Sequence, residues 1–206
     1  MKAYDKIPIV TNLPKISIEQ VKALSATASP ALHYPKLNLV GISPDSPTVE
    51  AAFGGNIPKG VEKIRVTIND LQSVYEMLNT AEDSDVDIVV MGCPFLSLNE
   101  IREIATKLSG KKMSSNVAFW LQTDIPTYLV AKFLGLINII EETGAKIYHD
   151  TCMTNGPADK WGEVNIATDS FKSIKLFSGH GQRFLFGRLE DLINAGISGK
   201  FKSTRR

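Results

Sequence analysis

Apolar residues in this chain fall into two recurring patterns, short continuous runs and faces spaced three or four apart. The two follow each other at regular intervals. The clearest run covers residues 87–92 and closes on Gly92-Cys93-Pro94, as expected of a strand buried on both sides. Ser97 and Glu100 then make a capping box ahead of Ile101, Ile104, Ala105 and Leu108, which share one helical face. The same order recurs downstream. Residues 116–121 predict a strand, and Asp124 with Pro126 starts a helix, proline suiting the first turn. That helical region ends at Gly144. Residues 146–148 predict a strand leading to Asp150-Thr151-Cys152, and 164–167 another leading to Thr168-Asp169-Ser170. A last helix is expected over 189–195, with Gly196 as its stop.

The first third repeats the theme with weaker signals. Ser17 and Gln20 cap a helix running to about residue 25, and residues 37–42 predict a buried strand closed by Ser43-Pro44-Asp45. A helix over 48–53, a strand over 61–66 and a helix from Thr67 to about Leu78 follow. Strands alternating with amphipathic helices imply an α/β fold: a mainly parallel sheet with helices on both faces, a three-layer αβα arrangement. One domain is expected over 1–206, with residues 1–36 as a helical lead-in. Residues 27–35 and 155–162 are the most irregular stretches, each suited equally to an active-site loop or a plain surface connection.

Composition narrows the class. The chain has 206 residues, 43% hydrophobic and 22% charged, which suits a globular protein with a real core. Its net charge of +1 gives no field for nucleic acid or an acidic membrane surface. The basic end, residues 200–206, reads as a solvated terminus. The most apolar stretch, 128–140, is too short to span a bilayer and is interrupted by Lys132 and Gly135. The first residues have no apolar signal core. Two cysteines, each at a strand end, do not make a disulfide framework. These features point to a cytoplasmic protein with no nucleic-acid or membrane partner.

Polar chemistry collects where the strands end: Ser43-Pro44-Asp45, Cys93-Pro94, Gln122-Thr123-Asp124, Asp150-Thr151-Cys152 and Thr168-Asp169-Ser170. In a parallel sheet these ends share one edge, beside helix N-termini that suit phosphate or carboxylate. Lys172 adds a charge to such an anion site. An N-cap serine and a solvated lysine explain Ser170 and Lys172 equally well, and free cysteine is as often a small core residue as a reactive one. No Cys-x-x-Cys pair nucleates a metal site, although Cys93, Cys152 and His149 or His33 could be gathered by the fold. Gly-x-Ser-x-Gly, Gly-x-Gly-x-x-Gly and the Walker lysine loop are all absent.

The order of motifs resembles a known family. It runs Leu24-Ser25-Ala26-Thr27-Ala28, then Val40-Gly41-Ile42-Ser43-Pro44-Asp45 and Glu50-Ala51-Ala52-Phe53. Residues 87–94, Ser97-Leu98-x-Glu100-Ile101, Asp150-Thr151-Cys152 and Thr168-Asp169-Ser170-Phe171-Lys172 complete it. The series is similar to the C-terminal half of the large subunit of the aconitase X family, whose members dehydrate phosphomevalonate or cis-3-hydroxy-L-proline. The resemblance implies a hydro-lyase acting on a small acidic substrate with the help of an iron–sulfur cluster. It implies Cys93 and Cys152 as metal ligands, and Ser170 and Lys172 as catalytic groups. Ser43, Ser97, Thr123 and Thr168 would be substrate-binding residues. An N-terminal half and a small swivelling subunit would be partners. Three positions depart from the family pattern: Leu192 stands where another cysteine is common, Phe95 where a histidine is, and Asp169 within the anion-binding run. A non-catalytic relative that keeps the fold as an assembly partner is the alternative.

Overall fold

The computed structural model describes residues 6–32, 36–81, 84–156, 160–177 and 179–203. The described chain forms two compact units, Met1–Leu71 and Gln72–Arg206. His33 and part of the irregular 155–162 stretch lie outside the described residues.

The first unit holds little sheet. Its two short strands, β1 (Ile9–Val10) and β2 (Asn38–Leu39), pair in parallel. Helix α1 (Ile18–Leu32) starts as expected, with the Ser17 amide donating to Gln20 Oε1 at 2.8 Å, but runs well past residue 25. The strand expected over 37–42 stops after two residues. The chain turns at Val40 and Gly41, and the amides of Ile42 and Ser43 both donate to the Leu39 carbonyl, at 3.0 and 2.8 Å. Helix α2 (Val49–Ala52) is capped by Thr48. No strand forms over 61–66: Ile64 is 81% exposed and Val66 67%, so this β-branched run has no apolar face to cover. Helix α3 (Ile68–Leu78) follows, with Thr67 and Asp70 hydrogen-bonded across its first turn.

The second unit is a five-stranded parallel sheet. In chain order its elements are β3 (Ile88–Met91), α4 (Leu98–Leu108), β4 (Ala118–Thr123), α5 (Ile125–Phe133), α6 (Leu136–Glu141) and β5 (Lys146–His149). A 3₁₀ turn (Met153–Asn155), β6 (Asn165–Thr168), α7 (Phe171–Phe177), β7 (Arg183–Phe186) and α8 (Leu189–Ser198) complete it. The strand order is β5-β4-β3-β6-β7 with every pairing parallel. This is the parallel sheet clothed on both faces that the hydrophobic pattern predicts.

Alternation along the strands sorts the core into two layers. On one side Val89, Met91, Phe119, Leu121, Ile147 and Ala167 meet residues of α4, α5, α6 and α8. On the other Ile88, Val90, Ile166 and Phe184 meet Met153, Ile174 and Phe177, with Trp120 and Trp161 packed against them. Helix α8 does not stop at Gly196. It continues to Ser198 and ends at Gly199 in the left-handed conformation. Gly196 lies under Phe119 instead, where a Cβ would fall 2.3 Å from the ring. Helix α7 and strand β7 have only seven and four residues, so periodicity alone does not reveal them.

Candidate active site

The strand order places a switch point between β3 and β6. From β3 the chain proceeds outward through β4 to β5, then returns to the other side of β3 for β6 and β7. Helix α4, after β3, packs in the aliphatic layer, whereas α7, after β6, packs in the aromatic one. Connections that part to opposite faces open a crevice at the carboxyl ends of these two strands, the usual ligand position in such sheets.

Cys93 enters this crevice from β3. Gly92 precedes it with φ +109°, and a Cβ at Gly92 would sit 2.2 Å from the Gln122 carbonyl oxygen, so only glycine lets β3 pass this close to β4. The Cys93–Pro94 peptide is cis. Cys152 arrives from the edge strand β5 through Asp150, which adopts φ +50°. Asp150 is fixed there from two sides. Its amide donates to the Thr123 carbonyl at 2.9 Å, and its carboxylate accepts from the Ile125 amide at 3.0 Å. The Asp-Thr-Cys motif thus turns the chain off β5 and back toward the sheet.

The two thiols are neighbours. Cys93 is buried and Cys152 half-buried, and hydrogen bonding between them is the largest influence on the acidity of each. That bond stabilises the Cys152 thiolate and lowers its pKa to about 5. The Thr154 hydroxyl, 3.1 Å away, the Thr154 amide and the Lys172 charge add to the shift, while burial opposes it. Cys93 moves the other way, far above the usual thiol range. It carries the shared proton and lies in a buried position, with the Ser173 and Ser170 hydroxyls opposing the shift. The opposed shifts favour one proton shared between the two sulfurs.

Helix α7 supports this pair. The Ser170 hydroxyl donates to the Cys93 carbonyl at 2.5 Å and accepts from the Ser173 amide at 3.1 Å, so both of its functions are committed to holding the Cys93 loop. Ser170, expected as a catalytic group, is thus anchored to the Cys93 loop in this structure. Thr168 is buried, with its hydroxyl accepting from the Ser170 amide at 3.2 Å. Ser173 is fully buried beside the Cys93 thiol, and its hydroxyl makes no well-formed hydrogen bond.

The other expected residues are placed differently. Thr123 is fully buried and donates to the Leu96 carbonyl at 2.7 Å, tying the β4 end to the loop after Cys93. Ser97 caps α4, accepting from the Glu100 amide at 3.3 Å while its own amide donates to Glu100 Oε2. Ser43 lies in the first unit, where its hydroxyl accepts from the Leu39 amide at 3.0 Å. Leu192 is 0% exposed within the aliphatic layer, away from the thiol side of the sheet. Ser173 and Thr154 were not singled out from the sequence. Their signals are slight: three residues past Ser170 in a helix's first turn, and two past Cys152. Among the described residues, no group of three or more His, Cys, Asp or Glu side chains gathers as a metal site.

Fold and site together define an α/β protein that keeps a hydrogen-bonded thiol pair, under the influence of a lysine charge, at the switch point of a parallel sheet. Comparison with known proteins makes the assignment specific. Family models described as Aconitase X third domain and Aconitase X second domain match residues 86–198 and 1–76. The chain belongs to the aconitase X family. It is 32% identical over 205 residues to a cis-3-hydroxy-L-proline dehydratase from Hypocrea jecorina, covering 97% of this chain and 34% of that relative. It is 31% identical over 172 residues to a phosphomevalonate dehydratase large subunit from Methanocaldococcus jannaschii, covering 83% of this chain and 40% of that relative. A crystal structure of Thermococcus kodakaraensis aconitase X in its holo-form superposes with a TM-score of 0.77 at 30% identity, over 90% of this chain and 46% of that one. The chain therefore spans less than half the length of these relatives. No helix among the described residues is long and apolar enough to cross a membrane.

Proposed function

We propose that this chain forms part of a hydro-lyase that removes water from a small anionic hydroxy acid, completing its active site with further aconitase X polypeptide. The observation that carries this reading is the Cys93–Cys152 pair, one thiolate and one thiol in contact at the switch point and under the influence of Lys172. Lys172 would attract the carboxylate or phosphate of the acid, a point charge suiting either. Ser170 and Thr168 would hold the Cys93 loop in register with it.

The donor set fits part of an iron–sulfur ligand set. Cys93 and Cys152 supply two adjacent soft sulfurs of the kind such clusters use, and the remaining ligands would come from outside this pair. When bound, the cluster would supply a Lewis-acidic iron for the departing hydroxyl. An N-terminal half and a small swivelling subunit are the partners we propose, and the cytoplasm is the compartment. 5-Phosphomevalonate is the first substrate to test and cis-3-hydroxy-L-proline the second.

The test is anaerobic purification of the chain together with its complementary aconitase X parts, followed by iron, sulfide and visible-absorption analysis and by turnover of both acids. Stoichiometric iron and dehydration of either acid are expected. A second reading, a non-catalytic relative, draws on the incomplete ligand set. A colourless complex that turns over neither acid after reconstitution would establish it instead.

A further inference from the structure

One buried polar side chain at the end of β4 has an oxygen with no hydrogen-bond partner among the described residues. Gln122 is only 4% exposed, and its side-chain oxygen accepts no hydrogen bond. Alternation along β4 decides which way it projects. Phe119 and Leu121 pack in the aliphatic layer and Ala118 and Trp120 in the aromatic one, so Gln122 projects to the aromatic side. That is the side on which α7 and the 3₁₀ turn bring Ser173 and Cys152 to Cys93.

The register brings Gln122 to the same spot. It pairs with Tyr148 on β5, and Met91 pairs with Leu121, so the next residue of β3, Gly92, falls opposite Gln122. A Cβ on Gly92 would be 2.9 Å from the Gln122 Cβ. The carboxamide thus flanks a stretch of bare backbone one residue before Cys93. A glutamine at such a place does nothing for packing that methionine would not do better, and its unanswered oxygen favours binding of a group that donates.

We propose that the Gln122 carboxamide binds the hydroxyl of the substrate, the group that departs as water, while Lys172 takes the anionic end. This rests on the dehydratase reading. The division follows from donor and acceptor chemistry. A carboxylate or phosphate brings only acceptors and pairs with the ammonium of Lys172, whereas a hydroxyl both donates and accepts and can satisfy a carboxamide. A site built around a substrate hydroxyl discriminates strongly against the analogue that lacks it, because the buried polar group is then left unpaired.

The substitution is Gln122→Met, which keeps the length and removes the amide. In the chain itself the unfolding midpoint should stay level or rise, since a partnerless buried amide is being replaced by an apolar group. A fall of several degrees would mean that the amide supports the fold, and would overturn the proposal. In the assembled enzyme, KM for the hydroxy acid is compared with Ki for its analogue lacking the leaving hydroxyl (cis-3-hydroxy-L-proline with L-proline, 5-phosphomevalonate with its deoxy counterpart). Gln122→Met should raise KM about tenfold and leave Ki unchanged. Parallel weakening of both, or a change in neither, would sink the assignment. Failure of the unmutated enzyme to dehydrate either acid is a separate result: it removes the dehydratase reading, and this inference with it.

Discussion

On one side of the five-stranded sheet, α4, α5, α6 and α8 cover an aliphatic layer in which Ile101, Leu108, Leu121, Ile140 and Leu192 are fully buried. On the other, α7 and a 3₁₀ turn cover an aromatic layer in which Trp161 stacks on Phe177 with ring centroids 5.6 Å apart and meets Trp120 edge-on at 5.8 Å. The unpartnered hydroxyl of Ser173 and carboxamide oxygen of Gln122 both belong to this second side. The same sheet thus divides its work. One face is packed for stability, and the other tolerates orphaned polar atoms and half-exposed groups where the thiols meet. Chemistry needs unsatisfied groups, and such groups are affordable only if the opposite face holds the fold by itself.

Four substitutions or measurements probe that division. Cys93→Ser or Cys152→Ser should bring dehydration by the complete enzyme to background while the unfolding midpoint of the chain moves by no more than a few degrees; a large loss of stability would merge the two faces. Leu192→Ala should do the reverse, lowering stability by about 3 kcal/mol through a cavity in the aliphatic layer and leaving KM of the folded fraction unchanged. Denaturant titration followed by kinetics below the transition checks both halves.

Thiol reactivity gives a sharper test of the second face. With its pKa lowered to about 5, Cys152 is a thiolate at neutral pH, so alkylation by iodoacetamide should be level above pH 7 and fall roughly tenfold between pH 6 and 4. A rate that keeps climbing through pH 8–9 would show an ordinary thiol with no donor beside it. The smallest effect belongs to Ser97→Ala, which should cost about 1 kcal/mol from the α4 cap without altering substrate affinity. A rise in KM there would show that Ser97 also meets the substrate.

The better-packed face was also the easier one to read. The capping box at Ser97, the Asp124 and Pro126 helix start, and the Ile101–Ile104–Ala105–Leu108 stripe all hold in the structure, because local hydrogen bonds and one-sided burial act in the same direction. Where a local signal had no tertiary partner it misled. The β-branched run at 61–66 stays irregular and exposed, and Gly196 is a close-packing glycine within α8. The site was legible only as a set of strand ends. That Cys93 and Cys152 touch depends on β5 and β6 lying on opposite sides of β3, which spacing along the chain does not encode. Gln122 was within reach of simple alternation: it faces away from Leu121 and Thr123, onto the aromatic side of the sheet.

The thiol pair joins strands of unequal standing, since Cys93 follows the central strand and Cys152 follows the edge. Any breathing motion that peels β5 from β4 parts the two sulfurs before the middle of the sheet loosens. The shared proton then has no second sulfur to bridge, and the largest source of Cys152 acidity is lost with it. The titration of one cysteine therefore reports, without any added probe, how often the border of this sheet lets go.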